Sequence, residues 1–236
     1  MSNWTPKRFW KTAAAVATDG GFTVQLDGRA VKTPAKSLLV VPTMALAQAI
    51  ALEWDAQVDQ VRPETMPLTR TANSAIDKVT PQKTEVAALI AAYGESDQLC
   101  YRAEGPAELC ERQAKAWDPL LDWAADHLGA RLNVGSGVMH VAQNPIAVET
   151  LAARVHALDS FSLAAFHDLV AISGSLILGF AVTEGRLTAD DAWFASRIDE
   201  DWQIELWGRD DEAEALANSK RLAFQQAARF HKLVQN

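Results

Sequence analysis

Carboxylates and indole rings crowd one short stretch, DEDWQIELWGRDDEAE at residues 199–214, where eight acids surround Trp202 and Trp207. Two kinds of chemistry use such residues. Glu200 and Glu205 could be the acid and base of a glycoside hydrolase, whose paired carboxylates stand about 5–10 Å apart across a sugar. Alternatively, the same side chains could hold another protein, because Trp offers large, stiff, amphipathic area and acids steer a basic partner. Two acids on one helix of so acidic a segment also arise without catalytic meaning.

No other catalytic machinery is spelled out. The chain contains no GxxxxGK[ST] loop, no GxGxxG after a strand, no HExxH and no GxSxG elbow. The histidines at 127, 140, 156, 167 and 231 show no ligand spacing on a shared helix face, so structural roles are expected for them. Cys100 and Cys110 are the only cysteines and form no CxxC pair; both read as reduced core thiols. The sequence therefore implies neither a metal nor a cofactor.

Charge narrows the partners. The formal charge is -8, and Asp190 to Glu214 alone carries ten acids against Arg197 and Arg209, a local net of -8. Nucleic acid would need clustered Lys and Arg, so it is excluded as the main partner. The N-terminus, MSNWTPKRFW, has neither the apolar core of a signal peptide nor the Arg-rich, Ser-rich pattern of a transit peptide, which points to the cytoplasm. The most apolar run, Leu169 to Val182, is too short to span a bilayer and is interrupted by Ser173, Gly174 and Ser175. It is expected to be a buried core helix.

The elements that must position these residues change period once. Up to about residue 42 the pattern is strand-like: AAAVAT, a turn at DGG, FTVQL, a turn at DG, RAVKT and SLLVV. Asp27-Gly28 predicts a type I′ hairpin, whose two central residues both need positive φ. Thr43 then caps a helix over MALAQAIALEWDAQ, which RPETMP ends. From about residue 80 the pattern is almost wholly helical, with starts at Pro81, Pro106 and Pro145, at Ser160 or Ser162, and at Thr188, and stops at Gly129 and Gly208. The prediction is an α+β protein of 236 residues, with a small β-rich domain over 1–79 and a helical domain over 80–236.

The helix expected over TADDAWFASRIDEDWQIELWG carries two apolar faces. At about 100° per residue, Trp193, Glu200, Ile204 and Trp207 share one stripe, while Phe194, Ile198, Trp202 and Leu206 form a second, well apart from it. A helix packed on its own domain needs only one such face, so the other awaits a crevice or a partner. Glu200, in line with two indoles, requires a cation or hydrogen-bond donor; Arg197 could supply it within the helix, and otherwise a second chain would. Eight tryptophans, including Trp4, Trp10, Trp54, Trp117 and Trp123, further favour a protein that handles apolar surface, although most are expected in the core.

Several segments in order, RFWK (8–11), LDGRAVKTPAKSLLVVPT (26–43), ALEWDAQ (51–57), MPLTRTANSAIDKV (66–79), YGESDQLCYRA (93–103), QAKAWDPLLDW (113–123), SGSLILG (173–179) and WQIELWG (202–208), resemble the ATP synthase assembly factor 2 family over nearly the whole chain. The resemblance implies a non-enzymatic chaperone, a monomer without cofactors, that holds the unassembled alpha subunit of the catalytic sector until the beta subunit replaces it. It implies a bacterial, cytoplasmic homologue of proteins that work in the mitochondrial matrix. Glu200 takes the place of a glutamate associated with function, and Trp54 that of the tryptophan in EWD.Q; Asp27, Gly28 and Arg29 belong with Trp54 to the structural motif. Partner binding is accordingly expected at Glu200, Trp193, Ile204, Trp207, Trp202 and Glu205. A glycoside hydrolase and a scaffold for some other protein remain the alternatives.

Overall fold

The computed structural model describes residues 7–236; Trp4 lies outside them. The chain forms two compact units. One takes the chain up to Lys83 with Asp159–Ala165 and Arg229–Asn236, and the other takes Thr84–Leu158 with Phe166–Ala228. Small antiparallel strands precede a larger helical region, so the protein is α+β.

In the first unit, β1 (Ala13–Thr18) pairs antiparallel with β2 (Gly21–Leu26), which also pairs with β3 (Arg29–Ala30) and β4 (Val40–Val41). Asp27 and Gly28 have φ of 47° and 81°, the two positive values that a type I′ turn requires. The Asp27 carboxylate also accepts the amides of Lys11 and Thr12, and these bonds hold it below the usual carboxylate range. Thr43 caps α1 (Met44–Asp55) by accepting from the Leu46 amide. Leu46 and Ile50 of α1 pack in one core with Val24, Leu39, Leu68 and Phe230.

Residues 67–82 are helical: α2 (Pro67–Ser74) runs into a π turn at Ala75–Val79 and a 3-10 turn at Thr80–Gln82. Glu53 of α1 caps α2. Its carboxylate accepts from Leu68 N at 2.7 Å, Thr69 N at 2.8 Å and Thr69 Oγ1 at 2.7 Å. Burial nevertheless pushes this carboxyl above its ordinary value. Asp77 then fastens the strand region, accepting from Thr33 Oγ1 and Ala35 N.

The second unit holds α3 (Lys83–Ala91), a short parallel pair of β5 (Tyr101–Arg102) and β6 (Gly135–Ser136), and α4 (Ala107–Trp123), whose π extension ends at Gly129 with φ of 73°. The β5–β6 pair is the one departure there from the helical pattern. Pro145 opens α5 (Pro145–Ala157), capped by Asn144. Next comes α6 (Ser160–Ser173), whose cap is Asp159, accepting from the Phe161 and Ser162 amides, rather than Ser160 or Ser162 themselves.

The apolar run 169–182 is not one helix. Gly174 turns the chain at φ of 69°, and α7 (Leu176–Thr183) begins after a new cap, Ser175. The break is held from outside by Asp97, fully buried, which accepts from Ser175 Oγ, Ile177 N and Leu99 N. The turn folds α7 back against α6. A Cβ on Gly179 would lie 2.9 Å from Val170 Cγ2 and 3.0 Å from the Phe166 ring. Thr188 caps α8 (Ala189–Ala195) by accepting from Asp191 N, α9 (Ile198–Trp207) ends at Gly208, and α10 (Asp211–Gln235) closes the chain. No helix among the described residues is long and apolar enough to cross a membrane.

Two measurements test this framework. Gly179→Ala should lower unfolding stability by about 1–3 kcal/mol, because ring and valine must move to admit one methyl; an unchanged denaturation midpoint would contradict the close α6–α7 approach. Burial pushes the Asp97 carboxyl up to about 6. The stability this group contributes is then complete below its unfolded value of ~3.9 and is lost as the pH rises through about 6. The melting-temperature difference between wild type and Asp97→Asn should therefore shrink from pH 4 to pH 7. A difference that grows with pH would mean that the donors outweigh burial.

Candidate functional site

The acidic stretch does not sit on one long helix. The chain leaves helical geometry at Arg197, φ −119° and ψ 15°, so α8 and α9 are separate and the stripe calculated through both loses its phase. Three bonds within the unit hold the break. Trp117 Nε1 donates to the Ala195 carbonyl at 2.8 Å, Gln98 Nε2 donates to the Ser196 carbonyl at 3.0 Å, and Gln113 Nε2 donates to Asp199 Oδ1 at 2.6 Å.

The expected partner-binding residues consequently divide. Trp193 is 5% exposed, with its ring centroid 6.3 Å from that of Phe224, and Trp202 is 8% exposed, with the Arg112 guanidinium 4.7 Å above its ring. Both are sealed. Ile204 is half-buried, Glu200 and Glu205 are exposed, and Trp207 is 78% exposed. Phe194 on α8 and Leu206 on α9 are exposed as well. Instead of two full-length stripes, the segment has a buried indole on each helix, with Phe194 exposed on α8 and the adjacent Leu206 and Trp207 exposed at the end of α9.

Glu200 is not paired with Arg197. That guanidinium lies over the Trp193 ring at 5.3 Å and reaches Asp201 at 3.6 Å, the residue four positions on, which it faces across one helical turn. Among the described residues Glu200 has neither an ion pair nor a side-chain hydrogen bond, and its exposure removes the desolvation cost that would have required a partner. Glu205 has one: Arg112 Nη1 at 2.7 Å, a contact that lowers the Glu205 pKa.

The acid is also less uniform than its composition. Besides Arg197 and Arg209, two cations from outside the stretch reach into it: Arg112 to Glu205, and Arg221 to Asp190 at 2.7 Å. Both escape a local count because they lie on α4 and α10. Unpaired acid therefore concentrates around Glu200 and the start of α10. A separate shallow groove of about 410 Å³ runs between α4 and α8, lined by Lys115, Pro119, Leu120, Leu187, Phe194 and Ile198.

This arrangement does not suit sugar cleavage. Glu200 and Glu205, five residues apart on one helix, point roughly 140° away from each other. Glu205, held ionised by Arg112, also lacks the raised pKa of a general acid. No cluster of three potential metal-ligating side chains occurs among the described residues. Cys100 is buried, and burial pushes its thiol up to about 12, which leaves it inert; Cys110 is a free, half-buried thiol.

The motif residues of the first unit form a brace. Trp54 is half-buried against the core and lies edge-on to Trp10, centroids 5.3 Å apart; its neighbours Glu53 and Asp55 bind α2 and Arg8. Arg29 is exposed on the outermost strand of its sheet.

Residues 7–125 match the family described as ATP12 chaperone protein. The chain belongs to that family. It is 30% identical over 224 residues to the mitochondrial protein atp12 of Schizosaccharomyces pombe, covering 90% of this chain and 77% of the relative. The crystal structure of Atp12 from Paracoccus denitrificans superposes with a TM-score of 0.95 at 50% identity, over 97% of this chain and 98% of that one. A protein of Agrobacterium tumefaciens superposes at 0.91 with 42% identity, over 98% and 85% of the two chains. The family anticipated from the motifs is thus the family found, a family of chaperones serving ATP synthase assembly.

Within this ATP12 chaperone the two indoles of α9 should behave oppositely. Trp202→Ala should cost about 3–5 kcal/mol of unfolding stability, the range for emptying a buried aromatic site, whereas Trp207→Ala should change it by less than about 0.5 kcal/mol. Equal losses in chemical denaturation would mean that Trp207 is also packed.

Proposed function

We propose that this chain binds the free alpha subunit of the ATP synthase catalytic sector and covers its apolar subunit interface until the beta subunit replaces it. The observation that carries this reading is the exposure of Trp207 beside Leu206, on a helix whose other indole is buried. An apolar outer surface of this kind on a chaperone is suited to an apolar interface, with aromatics supplying most of the contact energy. Glu200, free and exposed at the same helix, adds charge that speeds encounter with a basic patch and favours the correct client.

The chaperone acts as a monomer, and needs no turnover, metal or cofactor for shielding. The relatives from Paracoccus and Agrobacterium support a bacterial setting, whereas the Schizosaccharomyces pombe relative is named mitochondrial. Trp193 and Trp202 serve this surface indirectly by fixing α8 and α9, while Phe194, Glu200, Ile204, Leu206 and Trp207 face the client.

Capture of purified alpha subunit by the tagged protein tests the proposal. Glu200→Lys and Trp207→Ser should each weaken capture about tenfold, or ~1.4 kcal/mol, with melting temperatures unchanged. Added beta subunit should release the client. Undiminished capture by both variants would move the interface elsewhere, and failure of beta to displace alpha would remove the interface-covering role.

A further inference from the structure

The first unit has a second concave surface far along the sequence from α9. Phe9, Trp10, Trp54 and Val61 wall a pocket of about 250 Å³, and Arg29 and Lys32 stand at its rim. We propose that this pocket binds an extended peptide segment of a partner protein, taking one aromatic or large aliphatic side chain between the rings and an adjacent carboxylate at the two cations. The proposal does not depend on the α9 surface.

Size selects the apolar part. Ligand pockets for whole small molecules run to about 300–1,000 Å³, so this one suits a single side chain better than a cofactor. Its walls are preformed: Phe9 and Trp10 meet edge-on at 5.2 Å and 84°, Trp10 and Trp54 at 5.3 Å and 64°. Trp10 is 3% exposed, fixing the floor, whereas Phe9 is 67% exposed and overhangs the opening.

Charge selects the polar part. On a chain of net charge -8, neither Arg29 nor Lys32 has an ion pair or side-chain hydrogen bond among the described residues, although both are exposed. The nearby Arg8 is engaged, by contrast, with Asp55 and the carbonyls of Asp55 and Gln57. Two free cations next to an apolar pocket complement a carboxylate beside an apolar side chain, and are too few to hold a nucleic acid. The Trp10 and Trp54 indole N–H groups, shut off from solvent, find no acceptor within the protein, and buried indoles normally have one. Closed to water, these groups are equally closed to a peptide acceptor, so binding rests on the ring faces and the two cations. The rim leaves a short length of free backbone: Arg29 and Ala30 pair with β2 along one edge, whereas Val31 and Lys32 already pair with Leu39 and Leu38, so an extended segment has two residues of edge to lie against.

The test uses the full chain and three blocked peptides, acetyl-Glu-Phe-Asp-amide, its uncharged counterpart acetyl-Gln-Phe-Asn-amide, and acetyl-Glu-Gly-Asp-amide. Binding is read from the indole N–H resonances of Trp10 and Trp54, assigned through Trp10→Phe and Trp54→Phe. The charged phenylalanine peptide should shift both resonances saturably and bind at least about fivefold more tightly than either control. The double variant Arg29→Gln, Lys32→Gln should lose that advantage at unchanged melting temperature, and remains informative if a tryptophan variant fails to fold. Equal binding of the uncharged peptide, equal binding of the glycine peptide, or no saturable shift would each overturn the proposal. Alpha-subunit capture by the same double variant distinguishes the two surfaces: loss of peptide binding with capture intact supports the pocket and leaves the α9 proposal standing, whereas peptide binding retained by the double variant would overturn the pocket proposal whatever happens to capture.

Discussion

A carboxylate withdrawn from water must be surrounded by donors, and that requirement organises both units. Asp97, fully buried, gathers an amide two residues away and a hydroxyl and an amide about eighty residues away. Leaving any of those donors unmade beside a buried acid is costly, so the 3-10 turn at Gln98–Cys100, the break after α6 and the start of α7 are settled together. Glu53 does the same in the first unit, where its three bonds join α1 to the first turn of α2. Each acid also neutralises the positive end of a helix, so the same contact satisfies orphan amides and the dipole.

The consequences reach the surface. Because Ser175 and Asp97 stop the apolar run at Gly174, α7 folds against α6 closely enough that Gly179 leaves no room for a methyl group. The next break works similarly: Trp117, Gln98 and Gln113 hold the carbonyls and carboxylate at the α8–α9 junction. This redirects α9, placing Trp202 under Arg112 while Trp207 remains outside. The exposed apolar surface of the chaperone is therefore a product of buried polar contacts, and the residues that create it are not the residues that form it.

The quoted family segments lock to one another. RFWK meets the DG turn through Asp27; the KTPAK and ANSAID segments meet through Asp77; ALEWDAQ meets MPLTRT through Glu53. YGESDQLC meets SGSLILG through Asp97, and QAKAWD meets the α8–α9 junction through Gln113 and Trp117. Shared motifs here record long-range bracing, and Trp54 combines two environments, packed on the core along one side and lining a pocket along the other.

The sequence alone determined what depends on a few consecutive residues: the positive-φ turn at Asp27-Gly28, the caps Thr43 and Thr188, the stops at Gly129 and Gly208, the acid-rich stretch and the family. Side-chain-to-backbone bonds within about four residues, and the φ a residue tolerates, act whatever the rest of the chain does. Only the tertiary structure decided that 188–208 is two helices, that Asp201 rather than Glu200 takes Arg197, and that Trp193 and Trp202 are sealed while Trp207 is not. Those outcomes rest on Gln98, Arg112, Gln113 and Trp117, roughly 80–100 residues away, whose reach to α8 and α9 no periodicity encodes. Burial is a property of the surroundings, and an indole at helical spacing looks the same from its neighbours in sequence whether it meets Phe224 or water.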